Sequence, residues 1–322
     1  MLSVSTAIER WPTEGSFVIS RGAKHSVEVV TCTVSDGDHI GQAEATPIYY
    51  QGEDSQSCKT QIDAFAVRHS QFDRGTVQQH MSQGAARNVL DCALWDLECQ
   101  QKDQPLWRIA GLPEPKPLTT AFTISLNDPD RMELDARKAA ANGYQLLKLK
   151  LSGKGDDDRV AAVHRGAPNA RLIIDANESW NDLDIEREAS LLQKMGVELI
   201  EQPVSAGQDH LLRDVRSPIP LCADESCHTS ADVERLAPFY DAVNIKLDKA
   251  GGLSEAIAIA KAAEALGLKM MVGCMLSTSL GIRPAFSLAQ WADWVDLDGP
   301  MLLAKDREEQ FRFEDGQILP PG

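Results

Sequence analysis

Five short apolar runs in this chain each close on a charged residue, and the spacing between those residues is nearly constant. Lys150, Asp175, Glu201, Asp224 and Lys246 follow one another at intervals of 25, 26, 23 and 22 residues. One strand, one crossover helix and their loops need about that length, so the spacing reads as a repeated β-α unit. The next charged strand end, Asp296, lies 50 residues beyond Lys246, with an uncharged end at Gly273 and Cys274 between them. Apolar runs alternate with amphipathic stretches throughout, giving candidate strands at 119–125, 146–151, 172–175, 198–201, 221–224, 242–246, 269–272 and 294–298. Eight such strands predict a TIM-type α/β barrel, whose strand ends converge on one mouth. A doubly wound open sheet is the alternative, but no GxGxxG follows a first strand to support a dinucleotide site.

Residues 1–115 have a different texture. The β-branched run SVEVVTCTVS at 26–35 ends in Asp36-Gly37-Asp38, and residues 39–45 resume it, which reads as a hairpin or meander. From about 54 to 112 the pattern is helical, with Ala86, Val89, Leu90, Ala93, Leu94 and Leu97 on one stripe. A small α+β domain over 1–115 and a barrel from 116 onward follow.

Alternation says which way the charged residues face. In Leu147-Lys148-Leu149-Lys150-Leu151 the leucines must meet the helices, so both lysines face the interior. The same holds for Lys246 between Ile245 and Leu247, and for Asp296 and Asp298 around Leu297. Any one of these could be an ordinary solvated loop charge; five in register argue otherwise. Asp175, Glu201 and Asp224 end three consecutive strands, and three converging carboxylates repel unless a cation or proton compensates them. With only oxygen donors, the expected cation is Mg²⁺, with Mn²⁺ as the substitute, leaving coordination positions for water and a substrate carboxylate. Lys150 and Lys246 flank the triad, one on each side, which suits two bases acting on opposite faces of a substrate. A lysine base needs a lowered pKa, and Lys148 or the metal is the expected cause.

Composition sets the outer limits. The chain has 322 residues, enough for about two domains, and 32 basic against 48 acidic residues give a net charge of −16. That charge disfavours nucleic acid and anionic membranes as partners. The longest stretch without Asp, Glu, Lys or Arg, 270–282, is 13 residues, too short to cross a bilayer. No basic segment precedes an apolar run at the N-terminus, so a cytoplasmic location is expected. Seven cysteines without CxxC spacing read as reduced thiols. A homo-oligomer is left open.

Taken together, Lys148-Leu149-Lys150, Asp175-Ala176-Asn177, Glu201-Gln202-Pro203, Ala223-Asp224-Glu225-Ser226 and Asn244-Ile245-Lys246 resemble the motifs of the enolase superfamily, in its muconate-lactonizing-enzyme-like subgroup. The resemblance spans nearly the whole chain, since Ala93-Leu94-Trp95-Asp96-Leu97 is similar to a helix of that family's capping domain. It implies a (β/α)7β-type barrel over 116–304 and an α+β cap over 1–115 completed by the tail at about 305–322. It also implies Mg²⁺ on Asp175, Glu201 and Asp224, bases at Lys150 and Lys246, and Lys148 helping the metal to stabilise an enediolate.

Asp296-Leu297-Asp298-Gly299-Pro300 is most similar to the dipeptide epimerases, where such a pair of carboxylates suits a substrate α-ammonium. The resemblance therefore implies epimerisation of the C-terminal residue of a dipeptide, L-Ala-D-Glu and L-Ala-L-Glu first, in bacterial cell-wall peptide recycling. Arg21 or Lys24 would meet the glutamate side chain, with Thr123 and the Ser277-Thr278 pair as further pocket candidates. Asn177 and Glu225 would orient the metal ligands or a lysine. No histidine falls at a strand end, and His228 alone lies near a ligand. Competing readings are an N-acylamino-acid racemase, an o-succinylbenzoate synthase, a cycloisomerase, or a non-catalytic protein that captures cationic peptides.

Overall fold

A computed structural model describes residues 2–19 and 22–320. Strands β1 (Ser3–Ile19), β2 (Gly22–Ser35) and β3 (Ile40–Ala45) form an antiparallel sheet in that order. The β1–β2 register slips between Pro12 and Phe17, where proline has no N–H to give to the ladder. Helices α1 (Ser55–Arg68), α2 (Arg74–His80), α3 (Ala85–Lys102) and α4 (Leu106–Ala110) follow. The expected stripe of α3 is buried from Ala86 to Leu97. It crosses β3 so closely at Gly41 that a Cβ there would land on the Ala93 carbonyl and the Leu97 amide.

After β4 (Leu118–Thr119) comes the barrel: β5 (Phe122–Ile124), β6 (Leu146–Lys150), β7 (Arg171–Asp175), β8 (Val197–Glu201), β9 (Leu221–Ala223), β10 (Ala242–Ile245), β11 (Lys269–Gly273) and β12 (Trp294–Asp296). Neighbouring strands are consecutive in sequence and run parallel, which rules out the doubly wound order. The Ala121 N–H donates to the Val295 carbonyl at 2.8 Å and brings the two edges together. The crossovers carry α5 (Pro129–Ala141), α6 (Asp156–Gly166), α7 (Ile185–Gln193), α8 (Ser230–Leu236), α9 (Leu247–Ala250) with α10 (Leu253–Ala265), and α11 (Ser279–Ala289). Between β8 and β9 there is only a 3₁₀ turn at Asp209–Leu212.

One expected strand divides. The run at 119–125 reads as continuous, but Leu118–Thr119 leaves the barrel to pair with β14 (Gln317–Ile318), itself paired with β13 (Phe313–Glu314). Buried Thr120 marks the handover, its N–H bonded to the Gly316 carbonyl and its hydroxyl accepting from Leu297 N–H. Both halves are apolar enough to be strands, and only the tertiary partner distinguishes them. Before reaching this hairpin the tail passes the antiparallel sheet, where Ala304 N–H bonds the Pro12 carbonyl and Arg307 pairs with Glu9 and Glu44.

The sheet-and-helix cap is joined to the barrel by buried polar contacts. Arg87 donates to the carbonyls of Ala250 and Gly251, and Trp95 Nε1 to Ser254 Oγ. Asp248 Oδ1 accepts from Thr46 N–H at 2.9 Å and Asn88 Nδ2 at 2.8 Å. All seven cysteines are free. No helix among the described residues is long and apolar enough to cross a membrane.

Burial lifts the Asp248 carboxyl from 3.8 to about 7, outweighing those two donors. Between these values the folded protein holds a proton that the unfolded chain has released, so this group makes stability fall as pH rises from about 4 to about 7. Asp248→Asn keeps an acceptor for both donors without the charge. It should be more stable than the parent at pH 8 by about 2–4 kcal/mol in urea unfolding, with the difference vanishing towards pH 4. Equal pH dependence in both proteins would contradict this.

Candidate active site

The floor of the barrel is a ring of eight buried residues, one from each strand or the position flanking it: Ala121, Leu146, Ile173, Leu199, Cys222, Ala242, Met271 and Trp294. Because side chains alternate along a strand, the residue two places on stands above each of these and also faces inward. Those residues are Thr123, Lys148, Asp175, Glu201, Asp224, Asn244, Gly273 and Asp296. Two further places on come Lys150, Lys246 and Asp298. The charged residues of this set are all at most 8% exposed, so they must neutralise one another.

They do so in pairs. Lys150 Nζ lies 2.6 Å from Asp175 Oδ2, and Lys246 Nζ lies 2.6 Å from Asp224 Oδ2. Lys148 stands at the centre, 2.8 Å from Asp296 Oδ2, 2.5 Å from Glu201 Oε2 and 3.5 Å from Asp175 Oδ2. Its contact with Glu201 lacks hydrogen-bond alignment, so Glu201 Oε2 is held by charge alone. The other Glu201 oxygen accepts from Asn244 Nδ2 at 2.6 Å, and Asp175 Oδ1 from Asn177 N–H at 2.9 Å.

One oxygen of each of Asp175, Glu201 and Asp224 can be chosen so that all three lie within 4.8 Å of one another. Three buried carboxylates on adjacent strands, with oxygen donors only, fit a hard divalent cation. Their environments differ. Burial works against the Asp175 charge, but Lys150 and Lys148 outweigh it and hold the carboxyl at about 2. Burial and the neighbouring Asp175 push Glu201 up to about 8. Asp224, also opposed by burial, is held well below the usual carboxylate range by Lys246 and Lys249.

The expected tuning of a base by Lys148 is outweighed. Burial and Lys148 do lower the Lys246 pKa, yet Asp224 and Glu201 raise it well above the ordinary value. Lys148 itself, opposed by burial, is raised by Asp296, Glu201 and Asp175.

Lys150 and Lys246 stand at the ends of β6 and β10, four strands apart in an eight-stranded barrel. They therefore approach the triad from opposite sides. Asp296 and Asp298 are not equivalent. Asp296 is engaged by Lys148 through one oxygen, while its Oδ1 is buried without a partner. Asp298 Oδ2 accepts from Thr123 N–H at 2.7 Å, and burial next to Asp296 raises this carboxyl to about 7.

Phe17, Ile19 and Lys24 of the β1–β2 hairpin roof a cavity of about 70 Å³ that Lys150, Asn177, Asp224, Glu225, Lys246 and Cys274 also line. Lys24 Nζ lies 3.8 Å above the Tyr49 ring, and burial lowers its pKa. Arg21 falls outside the described residues. Asn177 sits at φ +42° with Nδ2 3.5 Å from Glu225 Oε1 and an unpartnered Oδ1. His228 turns to the Glu225 carbonyl and is not one of the cavity-lining residues. Thr278 caps α11 and bonds Glu44 instead of facing the pocket.

Three residues around the triad make contacts for which the sequence reading assigns no role, although Gln202 and Asn244 stand within its motifs. Asn244 shares the inward parity of Lys246, so alternation alone could have found it. Gln202, at φ +37°, accepts from the N–H groups of Asp224 and Ser226 and donates to Tyr240. Lys249 belongs to α9, where strand alternation has ended.

Residues 131–322 match the family described as Enolase C-terminal domain-like. An L-Ala-D/L-Glu epimerase of Escherichia coli is 39% identical over 99% of both chains. An N-acetyl-D-glutamate racemase of a Pseudoalteromonas species is also 39% identical, covering 91% of this chain and 93% of that one. Among solved structures, an enolase family member from Agrobacterium tumefaciens with homology to dipeptide epimerases, solved with sodium and L-Ala-L-Glu, superposes with a TM-score of 0.95. It is 45% identical, over 99% of this chain and 98% of that one. A dipeptide epimerase from Cytophaga hutchinsonii, solved with Mg and D-Ala-L-Val, gives 0.92 at 26% identity, over 98% and 92%. With its barrel, its flanking lysines and these relatives, the chain is an isomerase that belongs to the enolase superfamily, in the group that includes the dipeptide epimerases.

Proposed function

We propose that this enzyme epimerises the C-terminal residue of a dipeptide, interconverting L-Ala-D-Glu and L-Ala-L-Glu, in the cytoplasm. The observation that carries the reading is the placement of Lys150 and Lys246 on opposite sides of one carboxylate triad. One lysine, as the free amine, takes the α-proton from one face of the substrate. The other, as the ammonium, returns a proton to the opposite face, so the stereocentre inverts without net change in composition. The substrate's hand decides which lysine begins.

Asp175, Glu201 and Asp224 would hold Mg²⁺ or Mn²⁺, which when bound supplies positive charge to the substrate carboxylate as the α-proton leaves. Lys148 adds a fixed cation at the same place. Asp298, kept in position by the Thr123 N–H, and the free oxygen of Asp296 are suited to an α-ammonium. Lys24 or Arg21 would face the glutamate side chain.

N-acetylglutamate is the second reading. It is favoured by the racemase of equal identity and by the engagement of Asp296 with Lys148, which leaves less negative charge for an ammonium.

In D₂O with Mg²⁺, L-Ala-L-Glu should gain deuterium at the glutamate α-carbon while the D-Glu epimer accumulates. Absence of exchange from either epimer would reject the proposal. Lys150→Ala and Lys246→Ala should each lower epimerisation by roughly 10²-fold or more, each keeping exchange from only one epimer. Exchange from both epimers in either variant would contradict the two-base assignment.

Asp298→Asn separates the two substrate readings. For L-Ala-L-Glu it should raise KM about tenfold or more, through loss of a charge-assisted hydrogen bond, and leave N-acetylglutamate turnover unaffected. An unchanged KM for the dipeptide would remove Asp298 from ammonium binding.

A further inference from the structure

Asp224 holds a second lysine that the proton-transfer scheme does not use. Lys249, on α9 directly after β10, is 1% exposed and is not among the residues lining the cavity above the bases. Its ammonium donates to Asp224 Oδ1 at 2.6 Å and is shared among three carbonyls: that of Asp224 itself, Cys227 at 3.0 Å and Asn244 at 3.2 Å. An ammonium has three hydrogens, so four acceptors leave none for a substrate. The carbonyls belong to the ends of β9 and β10 and to the turn after β9, and the one side chain ties these segments together.

The result is a division of labour between the two oxygens of Asp224: Oδ1 is pinned by Lys249 while Oδ2 points to Lys246. Asp175 shows the same division, with the Asn177 N–H on Oδ1 and Lys150 on Oδ2. In both outer carboxylates the scaffold fixes one oxygen and leaves the other turned to a base. At Asp175 a backbone N–H is enough. At Asp224 the strand end has no such donor on its side chain, and a buried cation takes the place. An ammonium is a costly filler of apolar space, and its donor geometry accounts for its presence.

We infer that Lys249 is a positioning residue that aims Asp224 into the cation cradle, an inference resting on the reading of Asp224 as a metal ligand. It makes an opposite prediction from a bystander charge. A cation that only stood near the cradle would repel a metal, and its removal would tighten binding; a cation that aims a ligand would loosen binding when removed.

The test is Mn²⁺ titration of the purified full chain by electron paramagnetic resonance, with no substrate present. Lys249→Met should raise the Mn²⁺ dissociation constant roughly 10–100-fold, as loss of a partner that orients a ligand does. Lys249→Gln keeps a donor for Asp224 and the carbonyls and should weaken binding by a smaller factor; it also stands in should the methionine variant not fold. Unchanged or tighter binding in a folded Lys249 variant overturns the inference, even if thermal stability has dropped. Asp224→Asn is the control: if the parent does not bind Mn²⁺, or Asp224→Asn binds as well as the parent, the ligand reading and this inference fall together. If the control behaves and the Lys249 variants bind like the parent, only this inference fails.

Discussion

Charge balance inside a closed, water-poor barrel mouth is the condition on which the rest of the site depends. Asp175, Glu201, Asp224, Asp296 and Asp298 are buried at the ends of four strands, and ionised carboxylates in such a place are tolerated only with partners. Four lysines meet them. The accounting is incomplete by about one charge, and it shows as Glu201 and Asp298 drifting upward to about 8 and about 7. A mouth built this way favours an incoming cation. Lys150 and Lys246 are paired with oxygens of Asp175 and Asp224, so under the proposed function cation binding and release of these lysines would be linked events.

The cap matters through the same electrostatics. The β1–β2 hairpin lays Phe17, Ile19 and Lys24 across the mouth, and excluding water there strengthens every interaction beneath. Its placement is not left to apolar packing. Asp248 and Arg87 link α3 to the α9 region, and Arg307 links Glu44 to the tail. α9 thus serves both sides at once, with Asp248 facing the cap and Lys249 facing the triad.

Much of this was legible in the order of residues because a strand has a period of two. Once Leu147, Leu149 and Leu151 are assigned to the helix side, Lys148 and Lys150 have one direction left, and the same rule carries Asp175, Glu201, Asp224, Lys246 and both late aspartates. What stayed hidden has no such periodicity. The split of 119–125 depends on a tail nearly 200 residues away in the chain. The link between β8 and β9 is a 3₁₀ turn at Asp209–Leu212 where the repeat predicts a crossover helix. Lys249 lies past the strand end, and the pairing of Lys148 with Asp296 joins residues whose distance in space no spacing rule supplies. Alternation states direction; it does not state which partner each charge will choose.

Three carboxylates forming one cation cradle between two lysines are the centre of the proposed function. Crystals soaked with Mn²⁺ and L-Ala-L-Glu, measured at the manganese absorption edge, test it directly. The account predicts one anomalous peak within roughly 2.0–2.3 Å of an oxygen from each of Asp175, Glu201 and Asp224, with Lys150 and Lys246 on opposite sides of the glutamate α-carbon. A peak held by other residues, or a dipeptide with both lysines on the same side of that carbon, would contradict it.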